Sequence, residues 1–190
     1  MRYALITVAF ALLSTPALAQ DPRWYIGVGI GQSTVEDFCD GAPAGVGCDE
    51  KDTATRIFGG YQFNRNFALE AGYTDLGQAS ADFPGMGSVS LGASGFEFMA
   101  LGIAPLGERW SLYGKLGLFA WDIDVSDSTG LVGNFSESGT DLTYGFGVGV
   151  DFTKRWGARF EYQVYSDIGN EDTTGTGDVS VLGASLLYRF

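Results

Sequence analysis

Residues 156–166, WGARFEYQVYS, alternate between apolar and polar side chains. In an extended strand successive side chains point to opposite sides, so Arg159 and Glu161 lie on the face opposite to Phe160. A cationic side chain facing the middle of a bilayer costs about 2–4 kcal/mol, which favours placing the apolar face against lipid. The stretch therefore predicts a transmembrane strand whose charges point into a barrel.

The same alternation recurs eight times along the chain. Each segment has roughly nine to eleven residues, which is enough for a tilted strand to cross a bilayer. The short connections lie near residues 64–66, 105–109 and 153–155, and the long ones at about 34–52, 76–92, 123–140 and 166–178. Short turns at one end and long loops at the other are typical of outer-membrane barrels. The predicted fold is all-β, an eight-stranded antiparallel up-and-down transmembrane β-barrel.

Charged residues of the predicted strands share one property, which is that they lie on the face opposite the apolar one. They are Arg56, Glu70, Glu97, Lys115, Asp151, Arg159 and Glu161. Two interpretations of this inner face stay open. Paired networks of charges would fill the lumen, as the narrow geometry of eight strands favours. Alternatively, a change of pairing would open a small water path for ions.

The first 19 residues predict a cleaved signal peptide. Arg2 supplies a positive start, residues 4–13 are almost wholly apolar, and residues 17–19 form an A-x-A-type cleavage site. Residues 20–190 are then expected to form one exported barrel domain.

Two cysteines, Cys39 and Cys48, lie in one predicted loop. A disulfide between them is expected because exported proteins fold in an oxidising compartment. The chain has no His and only these two thiols, which disfavours a metal site, and no other cofactor is expected. The net charge of −12 argues against nucleic acid as a partner.

No enzymatic activity and no catalytic residue are predicted, because acid–base chemistry in barrels of this kind generally uses a His. The long loops are acidic, and two interpretations remain: they bind divalent cations or a basic partner, or they are simply solvated. Their acidic residues are Glu36, Asp37, Asp40, Asp49, Glu50, Asp52, Asp124, Asp127, Glu137, Asp167, Glu171 and Asp172.

Several stretches resemble the OmpA-like transmembrane domain. FGGYQFNRNFALEAGYTDLG (58–77) is similar to its second hairpin, and RFEYQVYSDIGN (159–170) and LLYRF (186–190) are similar to its last two strands. The resemblance runs from Trp24 to Phe190. It implies an eight-stranded barrel in the bacterial outer membrane of a Gram-negative cell envelope.

The resemblance also implies roles for individual residues. In this family a lumenal charge cluster is treated as a gate, which Glu70, Asp151 and Arg159 match, whereas Leu101 replaces an interior Lys. Tyr188 and Phe190 would carry the C-terminal signal read by the barrel-assembly machinery. Many relatives continue into a peptidoglycan-binding domain, and we expect none here.

These observations predict a structural, membrane-integrity role for a monomeric barrel. The first alternative is a narrow, low-conductance, porin-like channel gated by interior charges, and the second is a surface adhesin that binds through the acidic loops. The possible gate comprises Glu70, Asp151, Arg159, Lys115, Arg56 and Glu161. Expected partners are outer-membrane lipid, lipopolysaccharide and, during biogenesis, the assembly machinery and periplasmic chaperones.

Overall fold

The computed structural model describes residues 23–36, 38–39, 47–83, 87–128, 133–170 and 175–190. The predicted signal peptide lies outside these residues and stays a prediction. The described residues form nine strands. They are β1 (Arg23–Val35), β2 (Gly47–Asp49), β3 (Lys51–Gln62), β4 (Phe67–Phe83), β5 (Gly87–Leu106), β6 (Trp110–Asp127), β7 (Phe135–Asp151), β8 (Trp156–Asn170) and β9 (Gly175–Arg189). None of the described segments is a helix long and apolar enough to cross a membrane.

Eight of these strands close into an antiparallel barrel, in the order β4-β3-β1-β9-β8-β7-β6-β5 with β5 paired back to β4. The first and last strands pair in continuous register from Tyr25 opposite Arg189 to Val35 opposite Val179. The short β2 extends the wall beyond β3 by pairing with β4. Closure leaves no strand edge unpaired in lipid, where a free edge would be costly. The predicted fold is confirmed.

The distribution of apolar and charged side chains across the wall is the reverse of that in a soluble barrel. Large apolar side chains point outward and are 50–68% exposed, whereas six charged side chains point inward and are at most 8% exposed. The outward apolar set includes Ile26, Val28, Ile30, Leu69, Phe96, Phe98, Leu116, Leu118, Leu142, Phe146, Phe160 and Leu182. This arrangement is the one expected for a barrel whose outer surface contacts acyl chains.

The strands are longer than predicted, and this corrects the expected loop boundaries. The wall strands have 12 to 20 residues, and the β4–β5 hairpin fills most of the predicted loop 76–92. The reason is visible on β6. Ile123 and Val125 point inward there while Asp122 and Asp124 are exposed, so the alternation continues with a polar outer face. The barrel thus projects beyond the lipid belt on the long-loop side.

Apolar side chains fill the lumen at two levels. The turn-side cluster consists of Tyr25, Phe58, Ala68, Met99, Leu101, Tyr113 and Leu187. The loop-side cluster consists of Leu76, Ala93, Phe119, Trp121, Ile123, Val125, Tyr165, Ile168 and Val179. Strand β6 contributes to both, with Tyr113 toward the turns, Phe119 toward the loops and the buried Lys115 between them. A layer of charged residues therefore separates two apolar layers.

Aromatic rings form a belt at the short-turn end. The ring centroids of Trp24 and Tyr61 are 4.8 Å apart, and those of Trp156 and Tyr188 are 5.0 Å apart. Phe190 packs against Tyr188 at 5.4 Å, and its backbone N–H donates to the Trp24 carbonyl at 3.1 Å. Such rings are typical of the membrane interface.

Candidate functional site

Arg56 lies at the centre of the buried charges and contacts three carboxylates. Its Nη2 donates to Glu70 Oε2 at 3.0 Å and its Nη1 to Glu161 Oε1 at 3.1 Å, and its Nε donates to Glu97 Oε1. The guanidinium carbon also lies 4.1 Å from the centroid of the Phe58 ring. A planar guanidinium suits this position because its five N–H donors fan out in one plane while a ring packs on its face.

Two further cations complete the ion pairs. Arg159 Nη1 donates to Glu70 Oε1, and Lys115 Nζ donates to Glu161 Oε2 at 2.8 Å. Lys115 also donates to the side-chain carbonyl of Gln163. Three cations thus face three carboxylates, so the formal charge of the layer is zero. We call this set the lumenal network: Arg56, Glu70, Glu97, Lys115, Arg159 and Glu161.

Each carboxylate of the lumenal network also accepts a hydrogen bond from a tyrosine hydroxyl. The donors are Tyr25 to Glu70 at 2.7 Å, Tyr113 to Glu161 at 2.8 Å and Tyr165 to Glu97 at 3.2 Å. Gln163 Nε2 adds a bond to Glu97 Oε2 at 3.0 Å and another to Thr143 Oγ1 at 2.8 Å. Buried charges are stable only when their hydrogen-bonding capacity is satisfied in this way.

Glycines make room for this packing. Tyr25 on β1 and Glu70 on β4 are both register partners of Gly60 on β3, so the Tyr25 ring crosses over Gly60 to reach Glu70. A Cβ on Gly60 would overlap that ring. Phe58 is accommodated in the same way by its register partner Gly27. Eight strands enclose a lumen that side chains fill, so small residues are required wherever a large one crosses.

The structure brings together five of the six predicted gate residues, Arg56, Glu70, Lys115, Arg159 and Glu161. It does not bring Asp151 to them. Asp151 ends β7 at the short-turn end, where its Oδ1 accepts a hydrogen bond from Arg189 Nη1 at 2.6 Å and its side chain is 45% exposed. Asp151 therefore has a separate partner at the rim of the barrel.

Alternation predicts that Glu97 lies on the inner face but does not assign it to the gate, and the structure makes it a full member of the lumenal network. Alternation alone does not identify Tyr25, Tyr113 and Tyr165 as donors to the carboxylates. Spacing offers a signal for two of them, because Tyr113 is two residues from Lys115 and Tyr165 is two residues from Gln163. Residues two apart in a strand share a face. Leu101, at 1% exposure, belongs to the turn-side cluster.

At the long-loop end, the predicted Cys39–Cys48 disulfide is confirmed, with Cα atoms 5.9 Å apart. Glu36, Glu50 and Phe38 line a cavity of about 220 Å³ in the barrel mouth, together with the loop-side apolar residues.

Of the predicted acidic loop residues, four lie outside the described residues: Asp37, Asp40, Glu171 and Asp172. Within the described ranges, no three Cys, Asp or Glu side chains are grouped so that they could hold a metal ion.

The barrel is similar to known proteins in both sequence and fold. Residues 19–190 match the family model described as the OmpA-like transmembrane domain. The chain belongs to this family. It is 31% identical over 207 residues to outer membrane protein A of Serratia marcescens, covering 100% of this chain and 56% of that protein. For outer membrane protein A of Escherichia coli O157:H7 the identity is 30% over 201 residues, with 100% and 55% covered.

The chain thus spans about half the length of the curated relatives it matches. Membership in the OmpA-like family and the barrel fold together establish it as an outer-membrane protein that sits in the lipid bilayer.

Solved structures agree on the fold. Neisserial surface protein A has a TM-score of 0.65 at 15% identity, covering 90% of this chain and 100% of that one. Ail of Yersinia pestis, crystallised with the heparin analogue sucrose octasulfate, has a TM-score of 0.59 at 20% identity with the same coverage. OprG of Pseudomonas aeruginosa has a TM-score of 0.57 at 15% identity, covering 88% and 95%. At these identities the likeness concerns the fold alone.

Proposed function

We propose that this outer-membrane barrel is a structural protein with a sealed lumen, and that it supports membrane integrity rather than conducting ions. The lumenal network carries the proposal, because its charges balance, each charged side chain has an oppositely charged partner, and each carboxylate also accepts a hydrogen bond from a tyrosine. No catalytic role is assigned to it, since its carboxylates are held by cations and phenols at the centre of a filled lumen.

The energy of separating the charges supports a closed state. Removing one partner from a buried ion pair typically costs about 3–5 kcal/mol. A conformer that exposed one such charge would on this scale be populated in fewer than about one molecule in a hundred. Water would also have to pass the turn-side and loop-side apolar clusters, which lie on either side of the lumenal network.

One observation favours the narrow, gated channel as a second candidate. Glu161 is shared between Arg56 and Lys115, and Glu70 is shared between Arg56 and Arg159. A carboxylate with two cationic partners can release one and keep the other, which lowers the cost of changing pairs. The channel would then open by re-pairing within the lumenal network rather than by breaking it.

The adhesin alternative concerns the long loops. Ail, which has a similar fold, was crystallised with the heparin analogue sucrose octasulfate, but the acidic side chains of Glu36 and Glu50 line the barrel mouth of this chain. Acidic side chains repel polyanions, so a cationic or basic partner fits these loops better. This alternative predicts that shortening the loop of residues 36–50 abolishes binding and leaves the barrel folded.

We expect the refolded wild-type barrel to show no discrete conductance steps in a planar bilayer, because the lumenal network and two apolar layers block the water path. The measurement is single-channel recording, with the gel mobility of unheated and heated samples as the test of folding. Arg159→Ala serves as the network variant and Arg189→Ala as the matched control outside it. Steps in the wild type that change with Arg159→Ala and not with Arg189→Ala would establish the channel.

Membrane integrity itself is tested in cells. A deletion strain should become more sensitive to detergent and large antibiotics, and the wild-type gene should restore resistance. A variant with a shortened 36–50 loop should restore it equally well. If only the full-length loop restores resistance, the loops carry the function.

Under this proposal the protein acts as a monomer, contacts lipopolysaccharide in the outer leaflet, and reaches the membrane through chaperones and an assembly machinery that reads Tyr188 and Phe190.

A further inference from the structure

A groove of about 650 Å³ crosses the lipid-facing wall over β8, β9, β1, β3, β4 and β5. Its floor is the cross-strand pair Gly59 and Ala71, the two smallest outward side chains among its lining residues. A Cβ on Gly59 would meet no atom closer than the Tyr25 carbonyl oxygen at 3.8 Å, so the space above the floor is open. The depression therefore results from two small residues in a wall of large ones.

Aromatic pairs form both sides of the groove. On one side Tyr73 and Phe96 pack with ring centroids 5.1 Å apart, and the Tyr73 hydroxyl donates to Ser94 Oγ at 2.9 Å. On the other side Trp156 and Tyr188 pack 5.0 Å apart. These contacts hold the walls in place without a ligand. The volume lies within the range of pockets that bind small molecules, and the lining is almost wholly apolar.

The groove begins at the short-turn end, which in outer-membrane barrels faces the periplasm. Trp156 is the first residue of β8, and the exposed Lys154 and Arg155 immediately precede it. The Arg155 carbonyl accepts a bond from the Arg189 N–H at 2.8 Å, which places Arg155 beside the end of β9 and thus near Tyr188. Among the described residues, Arg189 is paired with Asp151, whereas neither Lys154 nor Arg155 forms an ion pair.

We propose that this groove binds one acyl chain of an anionic glycerophospholipid of the periplasmic leaflet, whose phosphate is held by Lys154 and Arg155. The apolar lining matches a hydrocarbon chain, and the two cations match the headgroup at the height of the aromatic belt. Basic side chains at a membrane surface favour anionic lipids in this way. Lipopolysaccharide does not fit, because it lies in the leaflet next to the long loops.

The test is native mass spectrometry of the refolded mature barrel, released from vesicles of equal parts phosphatidylglycerol and phosphatidylcholine. We expect one retained phosphatidylglycerol per wild-type barrel. Gly59→Leu and, separately, Ala71→Leu fill the floor and should lower retention by about tenfold, the scale expected when most of an apolar contact is lost. Gly102→Leu is the matched control, because Gly102 also points outward, a Cβ added there would have nothing within 4 Å, and it lies outside the groove.

The headgroup is tested by Lys154→Ser with Arg155→Ser. Each cation near the surface raises the affinity for an anionic lipid by about fivefold, so removing both should lower the preference for phosphatidylglycerol by about 25-fold. Arg65→Ser with Arg109→Ser, in the other turns, is the control and should change it little. The proposal would be overturned if both floor variants retained as much phosphatidylglycerol as the wild type, or if the Lys154/Arg155 variant kept the wild-type preference for it. It would also be overturned if the wild-type barrel formed a dimer that Gly59→Leu dissociates. The mobility of unheated samples confirms that each variant is folded.

Discussion

Arg56→Ala is expected to lower the free energy of unfolding of the barrel by about 3–5 kcal/mol, the usual consequence of removing one partner from a buried ion pair. Arg56 donates to Glu70, Glu97 and Glu161, so its loss weakens the neutralisation of all three carboxylates at once. Glu97 is affected most, because its other partners are the neutral Gln163 and Tyr165. The measurement is urea unfolding in lipid vesicles, followed by gel mobility.

Arg189→Ala is the matched control for this prediction. Arg189 also pairs with a carboxylate, but Asp151 is 45% exposed, and pairs of that kind contribute about 0–1 kcal/mol. Double replacement of Arg56 and Glu97 by Ala should recover part of the loss, since the carboxylate left without a cation is then absent. If Arg56→Ala were no more destabilising than Arg189→Ala, the lumenal network would contribute little to stability, and the proposed sealed lumen would lose its physical basis.

Alternation predicts that the seven strand charges from Arg56 to Glu161 face inward, but it does not predict which of them meet across the lumen. Alternation with a period of two assigns a residue to a face, and it placed Asp151 on the inner face. Which residues of the other strands lie level with it depends on the stagger between strands, which is a property of the closed sheet. Asp151 consequently meets Arg189 at the rim, while Arg159, only eight positions later in the sequence, meets Glu70 in the centre.

The full length of the strands also cannot be predicted from the alternation. In the sequence an apolar outer face marks a transmembrane strand, and this face ends where the barrel leaves the lipid. Beyond that point Asp122 and Asp124 are exposed while Trp121 and Ile123 are buried, as in a soluble sheet. The residues of β6 keep the same hydrogen-bonded pairing through both regions. Backbone pairing therefore continues from the lipid into water, although the outer face changes from apolar to polar at that boundary.

Gly60→Ala is the second substitution with a large expected effect. The Tyr25 ring passes over Gly60 to donate to Glu70, and a methyl group at this position would overlap the ring. Overpacking of a filled core typically costs about 1–3 kcal/mol. A hydrogen bond to a charged group contributes about 1.5–3 kcal/mol, and displacement of Tyr25 would remove one. If both effects apply, we expect a loss of roughly 2.5–6 kcal/mol in the free energy of unfolding.

The neighbouring Gly59 provides a matched control, because it points outward and a Cβ there would lie 3.8 Å from its nearest neighbour, the Tyr25 carbonyl oxygen. Both substitutions change glycine to alanine on the same strand, so their effects on the entropy of the unfolded chain are equal and cancel in the comparison. Gly59→Ala should change the free energy of unfolding by less than about 1 kcal/mol. The difference in the free energy of unfolding between the two variants thus measures how much the packing of Tyr25 over Gly60 contributes to stability. Equal stability of both would mean that the Tyr25–Glu70 contact is dispensable, and that the phenols fill the lumen without fixing the carboxylates.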